Sequence, residues 1–189
     1  MSTASLAKPA GAAASVPDVN DGAVAAVTVA MTAPDFSAPV TQGDETDATK
    51  GVLTLSALRG KHVVLYFYPK DGTPGCTKES MAFRDLAPAF AEANAVVVGV
   101  SRDSLPSHER FKEKLALPFG LVSDKDEAVC TLYGVMKEKK MYGKTVRGIE
   151  RSTFVIDAEG TIRNAWRGLK VDSHADDVLA AVQTLESSR

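Results

Sequence analysis

Three runs of β-branched and aromatic side chains constrain this chain most: His62–Tyr68 (HVVLYFY), Ala95–Ser101 (AVVVGVS) and Ser152–Asp157 (STFVID). None alternates with polar residues, so each reads as a strand buried on both faces, at the centre of a sheet covered by helices. The gaps supply the helices. Cys76–Ala93 carries Met81, Phe83, Leu86, Ala87 and Phe90 at helical spacing, with Pro88 expected to kink or split it. Ser104–Leu117 opens on a capping serine and stops before Pro118, Asp126–Tyr133 ends at Gly134, and Ser173–Glu186 closes the chain. After Asp157, the turn Ala158-Glu159-Gly160 leads into a further strand, Thr161–Trp166; upstream, Val52–Leu55 is a short strand and Ser56 caps a helical turn ending at Gly60. Strand–helix alternation followed by a hairpin and a last helix gives an α/β protein with a central mixed β-sheet flanked by helices.

The 189 residues suit one domain, expected over residues 32–189. Residues 1–31, rich in Ala, Ser, Val and Gly, read as a flexible N-terminal extension, with part of Ala23–Ala30 a candidate extra strand. Lys8 is its only basic residue, and Asp18 and Asp21 precede the apolar stretch, unlike a secretory signal; a cytoplasmic location is expected, with a cleaved targeting peptide as the alternative. Pro34, Pro39, Gly43 and the polar run to Lys50 mark loops. With 22 basic and 24 acidic residues the net charge is −2, which argues against nucleic acid as a partner. No apolar run approaches the roughly 18 residues of a membrane span. The only cysteines, Cys76 and Cys130, are too few for a disulfide scaffold and stand outside ligand spacing of each other and of His62, His108 and His174, so no metal is expected.

Chemistry concentrates in the segment from Pro69 to Glu79. A buried strand ends at Pro69, and a helix is expected to begin with Thr73 as N-cap and Pro74 at its first position, which puts Gly75 second and Cys76 third. In a capping box that third position holds a glutamate facing unpaired backbone N–H groups; here a thiol takes its place. Those N–H groups and the positive end of the helix dipole favour an anion, and the thiolate is the nucleophilic form of cysteine. Gly75 permits close approach of a substrate, Pro69 gives an apolar wall, and the Thr73 hydroxyl can accept from a backbone N–H while donating to the thiolate or to a substrate. Singly, each residue has a plainer reading: a cap for Thr73, a strand stop for Pro69, a small buried side chain for Cys76. Jointly they mark a strand-to-helix turn, where α/β proteins place their sites.

The pattern Pro69-x-x-x-Thr73-x-x-Cys76 resembles the peroxiredoxin signature, and Phe67–Asp85 (FYPKDGTPGCTKESMAFRD) is similar to the PrxQ, or bacterioferritin comigratory protein (BCP), subfamily. Ala33–Phe36, Gly99–Ser104 with Ser107-His108, and Arg151–Asp157 extend the resemblance over about residues 32–187. It implies a thioredoxin-like fold and a thiol-specific peroxidase that reduces hydrogen peroxide and organic hydroperoxides without cofactor or metal, in antioxidant defence and redox homeostasis. By resemblance, Cys76 is the peroxidatic cysteine, Pro69 its shield, Thr73 the hydroxyl that orients peroxide, and Arg151 the cation that favours thiolate and donates to peroxide oxygens. The alternative for Arg151 is an ion pair with Glu150 or Asp157. Glu79, one turn beyond Cys76, either braces Arg151 or lies on the surface.

The chain departs from its subfamily where a resolving cysteine is usual. Met81 stands five positions after Cys76, and Lys112 stands at the alternative position in the next helix. A one-cysteine cycle is expected, with the sulfenic acid reduced by thioredoxin, glutaredoxin or glutathione, in a monomer or weak dimer. Cys130 is the only other candidate resolver, against a plain packing role. A disulfide oxidoreductase on the same fold usually needs Cys-x-x-Cys, but Glu79 holds that fourth position; a redox sensor that passes oxidation of Cys76 to a partner is the other competing class. Lys137, Lys139, Lys140, Lys144 and Arg147 read as a solvated basic loop or a contact for an acidic partner, His108 as a helix-start polar residue, and Trp166 as sheet packing.

Overall fold

The computed structural model describes residues 27–42 and 51–189. Its centre is a five-stranded sheet built on β3 (His62–Phe67), which pairs in parallel with β4 (Ala95–Ser101) and antiparallel with β8 (Ser152–Ile156). On one side β5 (Gly120–Ser123) extends β4 in parallel; on the other β9 (Ile162–Arg167) pairs antiparallel with β8, so the order is β5-β4-β3-β8-β9. β1 (Ser37–Pro39) and β2 (Val52–Thr54) form a short antiparallel pair, and β6 (Met136–Met141) and β7 (Lys144–Ile149) form another.

Alternate residues of β3 point to opposite faces, and they divide the interior into two cores. Val63, Leu65 and Phe67 join Phe36, Val129, Cys130 and Tyr133 in one. Val64 and Tyr66, with Tyr68 just past the strand, join Cys76, Phe83, Phe90, Phe111 and Val178 in the other. Helices α1 (Pro74–Glu92), α2 (Leu105–Leu115) and α4 (His174–Ser187) supply the second core; the short α3 (Ala128–Leu132) supplies the first.

Several expectations change. Helix α1 runs unbroken through Pro88. Phe83 and Phe90, on either side of it, are buried, and at about 1.5–3 kcal/mol for each side chain their burial outweighs the roughly 3 kcal/mol cost of an interior proline. The basic stretch from Lys137 is a β-ribbon rather than a loop, closed by Tyr142 and Gly143 at φ 51° and 74°. Two positive φ values in a two-residue turn match the twist of a hairpin. β1 and β5, three and four residues long, are additions to the expected strands.

The N-terminal boundary also moves. Residues 1–26 and 43–50, which include most of the expected extension and of the polar loop, lie outside the described residues. Val27–Met31, expected within the extension, are docked on the domain: Ala30 N–H donates to the Ile162 carbonyl (2.8 Å), Ile162 N–H to that of Met31 (2.9 Å), and Arg167 to that of Val27 (2.9 Å). Val29 and Ala30 form a turn, not part of an extra strand. No described helix is long and apolar enough to cross a membrane.

Gly99 on β4 is a point of close packing between the sheet and the aromatic core. A Cβ there would stand 2.7 Å from Leu121 and 2.8 Å from the Tyr66 ring. Gly99→Ala is expected to destabilise the fold by about 1–3 kcal/mol through overpacking, read as a lower urea midpoint with an unchanged denaturant slope.

Candidate active site

The first turn of α1 forms the site. Thr73 is the N-cap residue and Pro74 opens the helix, and the first helical hydrogen bond is Thr77 N–H to the Thr73 carbonyl (2.9 Å). The N–H groups of Gly75 and Cys76 therefore precede the ladder and carry the positive end of the helix dipole. Opposite this turn, the chain enters β8 at Ser152, paired with Phe67 at the end of β3. Arg151, one residue earlier, reaches the helix: its Nη2 lies 3.3 Å from Cys76 Sγ, and its Nη1 donates to Glu79 Oε2. Gly75 leaves room for this approach, since a Cβ on it would stand 3.2 Å from Nη2.

Cys76 and Glu79 are each 1% exposed, and the Arg151 side chain is 16% exposed. Burial pushes the Glu79 carboxyl up from 4.5 to about 7, against the opposing pull of Arg151. Its second oxygen, Oε1, is buried without a hydrogen-bond partner among the described residues. Burial disfavours the charge on Arg151, but Glu79 and Cys76 outweigh it and raise the guanidinium above its ordinary value. One cation thus serves two acidic groups that share a helix face.

Residues 29–165 match the AhpC/TSA family. The chain is 55% identical over 130 residues to peroxiredoxin Bcp of Xanthomonas campestris, covering 69% of this chain and 81% of that one. It is 46% identical over 160 residues to peroxiredoxin Bcp of Bacillus subtilis, covering 85% and 96%. This chain belongs to the AhpC/TSA family. It is a peroxiredoxin of the Bcp, or PrxQ, kind: a thiol peroxidase with a thioredoxin-like fold, acting on peroxide with a thiol reductant. Among solved structures, the bacterioferritin comigratory protein of Xanthomonas campestris, described for its alkyl peroxide reduction activity, is similar with a TM-score of 0.73 at 48% identity, covering 79% of this chain and 91% of that one. Peroxidoxin BcpB of Mycobacterium tuberculosis is similar with a TM-score of 0.70 at 35% identity, covering 83% and 97%.

In this peroxiredoxin Cys76, Arg151, Glu79 and Gly75 converge. The alternative pairing of Arg151 with Glu150 or Asp157 is not formed; Asp157 binds Arg163 instead. Thr73 departs from its expected role as a side-chain cap, because its hydroxyl donates to the Lys70 carbonyl (2.8 Å) and makes no cap bond. Pro69 is exposed at the end of β3. Trp166 is half-buried on β9 and meets the His174 ring edge to face. Burial, aided by the charge of Arg151, brings His174 down to about 4.

The sequence reading missed what holds the loop before α1. Asp71 accepts from Tyr68 Oη (2.7 Å) and Ser107 Oγ (2.8 Å), and its Oδ2 lies 2.8 Å from His108 Nδ1. Its own N–H donates to Asp103 (2.9 Å), which also accepts from Ser101 (2.6 Å). Burial raises the Asp71 carboxyl, but hydrogen bonds led by His108 prevail and hold it below its ordinary value. His108 is therefore not merely a polar residue at a helix start: it is fully buried and, through Asp71, ties α2 to the loop that leads into α1. The pair Ser107-His108 stands among charged residues, Glu109 and Arg110, and its partner Asp71 is distant in sequence.

Cys130 lies in the other core, across the sheet from Cys76. Burial and the neighbouring Asp124 push its thiol well above the ordinary value.

The raised Glu79 carboxyl sets a pH dependence. Between 4.5 and about 7 the folded chain holds a proton that the unfolded chain releases. The contribution of this group to stability is complete below the lower value and is lost as pH rises through the upper one. Glu79→Gln should remove that fall, so the difference in urea midpoint between variant and parent should shift in favour of the variant from about pH 5 to about pH 8; a constant difference would contradict it.

Proposed function

We infer that Cys76 is the peroxidatic nucleophile and that Arg151 is the cation that serves it. The observation that carries this reading is the guanidinium contact with Sγ at the N-terminus of α1. The Cys76 sulfur, as thiolate, attacks one oxygen of a hydroperoxide in line with the O–O bond. That bond breaks, sulfur is oxidised to the sulfenic acid, and the other oxygen leaves as hydroxide or alkoxide, to be protonated to water or alcohol. Arg151 and the unpaired N–H groups of the first helical turn stabilise the charge growing on the leaving oxygen. The Thr73 hydroxyl, its own proton engaged by the Lys70 carbonyl, offers lone pairs to the peroxide O–H and so orients it. Pro69 shields the loop, and Gly75 keeps the turn clear for Arg151. Glu79 is a positioning residue that fixes the guanidinium from behind. At 1% exposure the sulfur meets peroxide when the first turn yields slightly; Thr73, Gly75 and Thr77, all half-buried, border it.

Substrates are hydrogen peroxide and organic hydroperoxides, and the role is antioxidant defence. The separation of the two thiols on opposite sheet faces supports a one-cysteine cycle: a disulfide needs Cα atoms within about 7 Å, so a bridge to Cys130 would require the fold to open. Reduction then falls to thioredoxin, glutaredoxin or glutathione, and the cytoplasm, where these systems keep thiols reduced, suits the cycle. The protein acts as a monomer or weak dimer.

Intact mass after one equivalent of peroxide tests this. A gain of one oxygen, trapped by a sulfenic-acid reagent, is expected for the parent and for Cys130→Ser, and none for Cys76→Ser; loss of two hydrogens would reveal an internal disulfide and refute the one-cysteine cycle. Arg151→Ala should slow oxidation by about 10²–10³-fold, the scale of losing one aimed donor, measured as the second-order rate of peroxide consumption.

A further inference from the structure

The β6–β7 ribbon has one face that the peroxidase chemistry does not use. Met136 and Ile149, paired at its base, pack against the core. By alternation the opposite face presents Lys137, Lys139 and Met141 on β6, with Lys144 and Val146 on β7, joined across the pairs Lys139↔Val146 and Met141↔Lys144. It contains three cations and no carboxylate. Among the described residues none of the three lysines is in an ion pair, whereas Arg147 on the inner face is held by Glu127. Met141 and Val146 are 51% and 44% exposed, and Tyr142 at the turn is fully exposed. Isolated exposed apolar side chains are ordinary; three adjoining ones ringed by unpaired lysines suit an interface with an acidic rim.

Its place in the chain narrows the partner. β7 ends at Ile149 and Glu150 leads directly to Arg151, so at about 3.3 Å per residue Val146 lies at most roughly 17 Å from Arg151. A partner surface of standard size, about 800 Å² and so about 30 Å across, would cover the ribbon and reach the Cys76 turn together. We propose that this face docks the protein reductant of Cys76, a dithiol protein with acidic and apolar residues around its reactive thiol. The proposal rests on the sulfenic acid reading above. One partner thiol attacks the Cys76 sulfenic acid, forming a mixed disulfide as hydroxide leaves with the thiol proton as water. The second partner thiol then breaks that disulfide, releasing Cys76 as thiolate, the partner as its disulfide and a proton to solvent. A second copy of the chain fits poorly, because two such basic faces repel.

Steady-state peroxide consumption by the full chain, with a thioredoxin of net negative charge or with dithiothreitol as donor, tests the surface. For Lys139→Glu/Lys144→Glu the KM for thioredoxin should rise about tenfold at low salt, with kcat and the dithiothreitol rate unchanged. Added salt should raise the parent KM and leave that of the variant nearly constant. An unchanged KM overturns the proposal, as does a loss shared equally with dithiothreitol. Parent turnover with dithiothreitol but not thioredoxin also overturns it while leaving the peroxidase intact; no turnover with either donor removes the peroxidase reading itself. If KM is unchanged but the double variant no longer co-sediments with phosphatidylglycerol vesicles, or no longer dimerises in sedimentation equilibrium, the face belongs to a membrane or to a second copy and the proposal falls.

Discussion

The antiparallel register of β3 and β8 is the constraint from which the site follows. Phe67 faces Ser152 across that pair, so the chain leaves β3 toward the loop before α1 at the same edge where it enters β8 from Arg151. Cysteine and arginine, 75 residues apart in sequence, are brought to one turn by backbone pairing before any side chain interacts. A slip of one residue would turn every β8 side chain to the other face. Both faces of β8 are buried, and in the observed register Thr153 Oγ1 meets His174 Nε2 at 2.8 Å. The loop on the helix side is fixed separately, through Asp71 and its bonds to Tyr68, Ser107 and His108. Two independent anchors therefore set the distance between sulfur and guanidinium.

Charge in that turn is finely divided. Arg151 is a single cation in contact with two acidic groups, and removing a buried carboxylate or thiolate from water is costly unless a partner compensates. The structure resolves this unevenly: Glu79 carries the desolvation penalty as a carboxyl raised to about 7, and its Oε1 has no partner among the described residues. A carboxyl raised to about 7 is only partly ionised near neutral pH, so Glu79 holds the guanidinium in place while offsetting less of its charge than a fully ionised carboxylate would. A surface glutamate at the same position would remain fully ionised and draw the cation away. Burial of Glu79 thus bears on the neighbouring thiol through the shared guanidinium.

Much of this was legible in the sequence because the informative features were local. The long apolar runs of β3, β4 and β8, the cap-proline-glycine-cysteine start of α1 and the capping serine of α2 are each contained within a few residues. What escaped depended on distant partners. The β6–β7 ribbon has almost no apolar face, since lysines fill its outward positions, so period-2 patterning gave no signal. Pro88 was overruled by aromatic burial that only the tertiary fold reveals. His108 and Asp71, 37 residues apart, form a pair that neither position announces. Thr73 marked the correct helix start, yet its hydroxyl donates to the Lys70 carbonyl and makes no cap bond.

The division of the interior into two cores has a consequence for turnover. In a chain with two cysteines on one face of the sheet, the oxidised sulfur can be resolved internally, and an outside reductant then meets an exposed disulfide. Here the second thiol is held behind the sheet among Val129, Leu132 and Tyr133, protonated by burial, and Met81 and Lys112 stand at the two positions where the subfamily resemblance places a resolving cysteine. On the one-cysteine reading proposed above, the sulfenic acid is met where it forms, in a turn that is almost closed to solvent. A small thiol can enter by chance opening, but a protein thiol has to be brought to the turn and held there long enough for the turn to yield. That requirement gives the neighbouring ribbon, projecting from the arginine segment with Lys137, Lys139 and Lys144 outside any ion pair among the described residues, a physical reason to be basic on one face and apolar at its tip.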